Sequence, residues 1–157
     1  MSKSYGKAFE QKFKEDFSKL SGSFVYRLPD QLSGFRGASS NISDFLCYIY
    51  PLFYVLEVKS IAGNTFPITN FTQYDKMKQY TATQGVRMGV VIWFHEKDKV
   101  LYVPLKSIEK MKQDGKKSVN IRTIENEEYE YIDIPSKKKR VFMDSDYSIL
   151  KSLPEGW

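Results

Sequence analysis

Phe9, Phe13, Phe17 and Leu20 recur every three to four positions, the period of one helix face. They predict a first helix over about residues 4–20, closed by Ser21 and Gly22. Phe24, Val25 and Tyr26 form a short apolar strand. Residues 28–41 are rich in Gly, Ser, Asn and Pro and include Arg36; they read as a long mobile loop, of a length that is either functional or disordered. Two β-rich runs, 43–48 and 53–59, flank Pro51 and read as an antiparallel hairpin. A second helix is expected over 69–84, with Phe71, Tyr74, Met77 and Tyr80 or Thr81 as its apolar stripe and Gly85 as its stop. Strands at 88–94 and 100–103 are joined by a polar turn starting at His95. Pro104 introduces a short helix bearing Leu105, Ile108 and Met111. In the last third, 129–134 and 140–143 read as another hairpin, closed by Ser136, Lys137, Lys138 and Lys139. The order predicts an α/β (α+β) architecture with a mixed central β-sheet, in one domain spanning 1–157 with neither repeat nor linker.

Composition narrows the class. With 24 Lys and Arg against 19 Asp and Glu, the 157-residue chain carries +5, which favours an anionic partner such as nucleic acid. Cys47 is the one cysteine, so an internal disulfide is excluded, and its apolar surroundings predict a buried thiol. His95, the one histidine, reads as a surface residue of a turn. No stretch reaches the roughly 18 apolar residues of a membrane span, and residues 1–7 lack a hydrophobic signal core. A reducing, cytoplasmic location is therefore expected.

The chemistry concentrates in the first hairpin. If its turn is centred on Tyr50 and Pro51, facing residues have numbers summing to 101, and Asp44 faces Glu57. Facing Cβ atoms lie about 4.5–5.5 Å apart, where two like charges destabilise; a divalent cation between them removes the objection. Glu57 and Lys59, two apart on a strand, point to one side, whereas Leu56 and Val58 point into the core. Oxygen-only ligands suit Mg2+, which can polarise a phosphate and activate water. Lys59 can orient that water or neutralise developing charge. The same Glu57, Val58 and Lys59 also fit a solvated strand face with a weak ion pair.

Ser43, Asp44 and Phe45, followed by Leu56, Glu57, Val58 and Lys59, resemble the PD-(D/E)xK nuclease motif, with Ser43 replacing the proline. More closely, the chain resembles the RecU-type Holliday junction resolvases over about residues 5–120. Gly6 to Glu10 matches their Gly-x-x-Leu/Phe-Glu helix opening, and Ser43-Asp44 their Thr-Asp pair. Glu57 to Ser60 matches Glu-Ala-Lys-Glu/Ser. Phe66, Pro67 and Asn70, leading to Gln73, match a Phe-Pro-Leu-x-Asn segment, and Lys117-Ser118-Val119 a later Lys-Ser-Ile.

The resemblance implies a restriction-endonuclease-like fold, its mixed central β-sheet flanked by helices. It implies Asp44, Glu57 and the Val58 carbonyl as Mg2+ ligands, with Mn2+ as a possible substitute, and Lys59 as the catalytic lysine. Glu10 would approach from the first helix and Gln73 would support the site from the second. It further implies a homodimer cutting two strands of a four-way junction by paired nicks, with Tyr48, Tyr50, Leu52 and Phe53 open between an interface and the core. The chain departs from the cellular members in length: residues 28–41 stand where those carry a longer protrusion that enters the junction.

Lys7, Lys14, Arg27, Arg36, Lys137 and Lys138 are the leading candidates for phosphate contacts, which position DNA without reading its sequence; Lys3, Lys12, Lys139 and Arg140 are further ones. Two other readings compete with the resolvase: a PD-(D/E)xK nuclease acting on duplex ends, flaps or specific sites, and a non-catalytic DNA-binding module. The second leaves acids facing phosphates without a purpose.

Overall fold

The computed structural model describes residues 2–30, 41–126, 129–155 and 157. Its centre is a six-stranded sheet in the order β1-β2-β3-β5-β6-β8. These strands are β1 (Phe24–Arg27), β2 (Phe45–Ile49), β3 (Leu52–Ile61), β5 (Val86–Phe94), β6 (Lys99–Pro104) and β8 (Ile132–Asp133). All neighbours are antiparallel except β3 and β5, which run parallel, so the sheet is mixed as expected. Crossing from β3 to β5, the chain forms β4 (Thr65–Pro67), a 3-10 turn (Ile68–Asn70) and helix α2 (Tyr74–Lys78).

Two cores sandwich the sheet. Helix α1 (Ser2–Ser18) lays Phe9, Phe13 and Phe17 onto Phe45, Cys47, Tyr54, Leu56 and Val58. The i, i+4 spacing of the three phenylalanines aligns them on one face of the helix. On the other side, α2 and α3 (Leu105–Gln113) cover Val55, Val90, Ile92 and Val103 with Tyr74, Met77, Ile108 and Met111. Strands β3 and β5 are apolar on both faces because each face is covered.

The C-terminal segment is tied across the first core by polar anchors. Tyr54 donates to the Leu150 carbonyl at 2.6 Å, and Arg87 to that of Leu153 at 3.2 Å. Asp16, 3 % exposed, accepts from Lys12 and from the Ser145 amide. A buried carboxylate this well paired fastens the hairpin of β9 (Ser136–Lys138) and β10 (Met143–Ser145) to α1.

Several expectations are corrected. The second helix does not run over 69–84: only a 3-10 turn and five helical residues form. Threonines at Thr69, Thr72, Thr81 and Thr83 lower helix propensity, and short turns still bury Phe71, Tyr74 and Met77. Tyr80 is exposed instead of completing the stripe. The late hairpin forms between 136–138 and 143–145 instead of 129–134 and 140–143, because Ile132 and Asp133 extend the main sheet beside Tyr102 and Leu101. Strand β7 (Ser118–Asn120), paired with β4, and helix α4 (Ile121–Asn126) went unanticipated. The signal for α4 is Asn120, whose side chain accepts from the Arg122 amide as an N-cap. Most of the 28–41 loop, Arg36 included, lies outside the described residues.

Gly89 marks the tightest point of the sheet. A Cβ there would stand 2.4 Å from the Val103 carbonyl oxygen and 3.0 Å from the Tyr102 ring. Gly89→Ala should therefore cost roughly 2–3 kcal/mol by overpacking, read as a lower denaturant midpoint at unchanged slope. A midpoint equal to the parent's would contradict this packing.

Candidate active site

The β2–β3 register runs Phe45 opposite Leu56 through Ile49 opposite Leu52, so partners sum to 101. The turn between them contains a cis Tyr50–Pro51 bond. Asp44 stands one residue before the paired part of β2, and its Oδ2 accepts from the Val58 amide at 2.9 Å. Lys59 Nζ reaches both acids, at 3.4 Å from Asp44 Oδ2 and 3.0 Å from Glu57 Oε2. Asp44, Glu57 and Lys59 thus converge.

Strand pleating explains the convergence. Leu56 and Val58 enter the core beneath α1, so Glu57 and Lys59 project from the opposite face, the side covered by α2 and α3. Val58's amide points toward β2, where the ladder has ended at Phe45. In an antiparallel pair a residue's N–H and C=O face the same neighbour, so the Val58 carbonyl also points past the end of β2, toward Asp44.

The electrostatics are unusual for a strand face. Glu57 is 1 % exposed, yet neither of its carboxylate oxygens has a hydrogen-bond partner; Lys59 is close enough for an ion pair but not in hydrogen-bond alignment. Burial, reinforced by the Asp44 charge and only partly opposed by Lys59, pushes the Glu57 carboxyl up to about 7. Burial also opposes the Lys59 charge, but Asp44 and Glu57 outweigh it and raise its pKa above the ordinary lysine value. Lys59 is therefore a firm cation here, suited to charge stabilisation and not to accepting a proton.

Among the described residues no three His, Cys, Asp or Glu side chains gather as a metal cluster. Two carboxylates and one carbonyl nevertheless fit a hard cation whose remaining ligands are water and phosphate, which is how Mg2+ is usually held. The unpartnered, buried Glu57 oxygens are what such a cation would satisfy.

The other expected residues are distributed differently. Glu10 does not join the acids: it lies on α1, on the other side of the sheet, where Arg27 Nε donates to its Oε2 at 2.7 Å. Arg27 also binds Asp30. Lys7, Lys14 and Arg27 do come together, lining with Glu10 and Phe45 a cleft of about 280 Å3 on the α1 side. Gln73 is half-buried just ahead of α2, on the face that carries Glu57 and Lys59. Lys137 and Lys138 sit on β9, and Lys138 is paired with Asp98 at 2.7 Å. Leu52 belongs to the core, whereas Tyr48 and Tyr50 are exposed and Phe53 is half-buried. Cys47 is buried, as expected. His95 lies in the turn, as expected, and is half-buried there, its ring stacked on Tyr5 at 4.4 Å.

A family model described as RecU, recombination protein U, matches residues 38–142. Among solved structures, the Holliday junction resolvase Hjc of Archaeoglobus fulgidus is similar with a TM-score of 0.56 at 14 % identity, over 74 % of this chain and 89 % of that one. No curated protein matches. The Hjc likeness shows a shared fold.

The Glu57 carboxyl sets a pH prediction for the metal-free protein. Its folded pKa of about 7 lies above the 4.5 of an ordinary glutamate, so the folded state holds the extra proton. That contribution is full below about pH 4.5 and is lost as pH rises through 7. From pH 5 to 8, the thermal midpoint of the native chain should fall relative to that of Glu57→Gln. Parallel pH curves for the two proteins would contradict this.

Proposed function

The chain belongs to the recombination protein U family, and we propose that it is a metal-dependent endonuclease that resolves four-way DNA junctions by paired nicks. The observation that carries this is the buried Glu57 carboxylate, unpartnered by hydrogen bonds, beside Asp44 and Lys59. A binding module gains nothing from an acid pair that repels phosphate and costs folding energy.

Asp44, Glu57 and the Val58 carbonyl would hold Mg2+, with Mn2+ as an alternative. A cation bound there supplies polarisation of the scissile phosphate and a lowered pKa for attacking water. The residues' own parts follow from their geometry. The Val58 amide fixes the Asp44 carboxylate, so one ligand is oriented before any cation arrives. Apolar packing of Leu56 and Val58 locks the strand, which fixes Glu57. Lys59 bridges the two acids in the absence of a cation. In the reaction its ammonium would stabilise charge developing on the phosphate. Gln73 adjoins this face as a supporting polar group.

Lys7, Lys14 and Arg27 would contact backbone phosphates from the α1 side, in the cleft they line with Glu10 and Phe45. Glu10 would enter the chemistry only if DNA phosphate drew Arg27 away from it. A second copy would supply the second nick, and Phe24, Tyr26, Tyr48 and Tyr50, all well exposed on or beside β1 and β2, form the surface we assign to it.

In a cleavage assay with Mg2+, a synthetic four-way junction should be nicked symmetrically, while matched duplex, flap and single strands are spared. Asp44→Asn or Glu57→Gln should abolish cutting but retain binding. Lys59→Ala should lower the rate at saturating DNA about 10²–10³-fold, the scale for losing one preorganised charge-stabilising group. Cleavage surviving either acid substitution would remove the site assignment. Equal cutting of linear DNA would leave a nuclease that is not a resolvase.

Sedimentation at micromolar concentration should report a dimer that Tyr26→Asp with Tyr48→Asp converts to monomer. A monomer in the native chain would remove the second-copy surface.

A further inference from the structure

A groove of about 670 Å3 lies between the segment leading into α2 and the end of α3. Its floor is apolar, made of Pro67, Ile68, Phe71 and Tyr74. Its rim is polar: Thr69 and Thr72 stand on one wall, and Lys112, Lys116 and Lys117 on the other, with Asp75 the single acid. All three lysines are exposed. The walls are tied together, since the Ile68 amide donates to the Lys117 carbonyl at 2.9 Å and β4 pairs with β7. Lys112 Nζ lies 4.0 Å over the Tyr74 ring, which braces its stem across the groove.

Position gives the groove its meaning. Tyr74 and Phe71 belong to the core on the sheet face from which Glu57 and Lys59 project, and Gln73 sits between two lining residues, Thr72 and Tyr74. The lysine run at 137–139 belongs instead to the hairpin fastened to α1, where Lys138 and Lys139 already meet Asp98 and Asp144.

We propose that this groove binds the sugar–phosphate backbone of DNA away from the scissile bond, with Lys112, Lys116 and Lys117 on successive phosphates and the apolar floor beneath the deoxyriboses. Charge complementarity selects this occupant: among the described lining residues, three lysines within six positions stand against one acid. The inference rests on the nuclease reading and would make the lysines positioning residues.

The test uses the full chain carrying Asp44→Asn, so that binding is read without cutting. Affinity for a four-way junction is measured across salt concentrations for this protein, for Lys112→Gln/Lys116→Gln/Lys117→Gln in the same background, and for the corresponding triple Arg variant. The Gln variant should bind at least about tenfold more weakly near 0.15 M salt. Its log–log salt slope should be shallower by roughly 2–3, at about 0.9 for each phosphate no longer neutralised. The Arg variant should restore both, which a lost fold would not allow, and thermal midpoints of the three proteins should agree. In the cleavage-competent chain the Gln variant should raise KM and leave kcat at saturation unchanged. An unaltered salt slope in the Gln variant, with parent binding intact, overturns the groove and leaves the nuclease standing; it would point to an acidic protein partner instead. A parent that binds no DNA overturns both.

Discussion

The antiparallel register of β2 and β3 is the constraint on which the site depends. A slip of one residue would turn Glu57 and Lys59 into the core beneath α1 and Leu56 and Val58 out of it. A slip of two would keep the faces but carry Asp44 about 6–7 Å along the strand, away from its partners. Both are resisted by the same packing: Phe45, Cys47 and Ile49 from β2 and Tyr54, Leu56 and Val58 from β3 fill one core with the phenylalanines of α1. Burial of a large apolar set thereby positions a small polar one.

That arrangement places an acid where folding alone would not. Glu57 is buried beside another carboxylate, and its raised pKa reflects the cost of ionising it there. Two features make it tolerable: Lys59 between the acids, and the Val58 amide on Asp44. Lys59 is a resident counter-charge to both acids, and in the proposed reaction the same ammonium would face the phosphate. Both tasks need the same ammonium on the same side of β3, which explains a lysine two residues from the glutamate.

The two faces of the sheet divide the remaining charge. On the α1 side, Arg27 is held by Glu10 and Asp30, Lys12 by Asp16 and Asp144, and Lys138 by Asp98. These pairs fasten elements together, and Lys7 and Lys14 line the cleft of that side as its proposed phosphate contacts. On the α2–α3 side, the lysines after Met111 border an open groove in which Asp75 is the one acid. A DNA strand held at the acids would therefore meet lysines on either side of them, an arrangement suited to choosing DNA by shape.

Local pattern was enough for much of this protein. The turn at Tyr50 and Pro51, the alternation along β3, and the phenylalanine spacing of α1 are short-range features, and they were sufficient to place Asp44, Glu57 and Lys59 on one face. Tertiary structure decided what local pattern could not. The apolar stripe along 69–84 predicted one helix, but threonines weaken it and packing needed only Phe71, Tyr74 and Met77 inside. Ile132 and Asp133 joined the main sheet because Leu101 and Tyr102 offered an open edge. Glu10 met Arg27, seventeen positions away, since which charges pair depends on which face each element covers. The lysines at 112, 116 and 117 lie close in the chain, but they border a groove only because a distant segment, here 67–75, supplies the opposite wall. Periodicity determines the face a residue takes within its own element; only the packed fold determines what stands across from it.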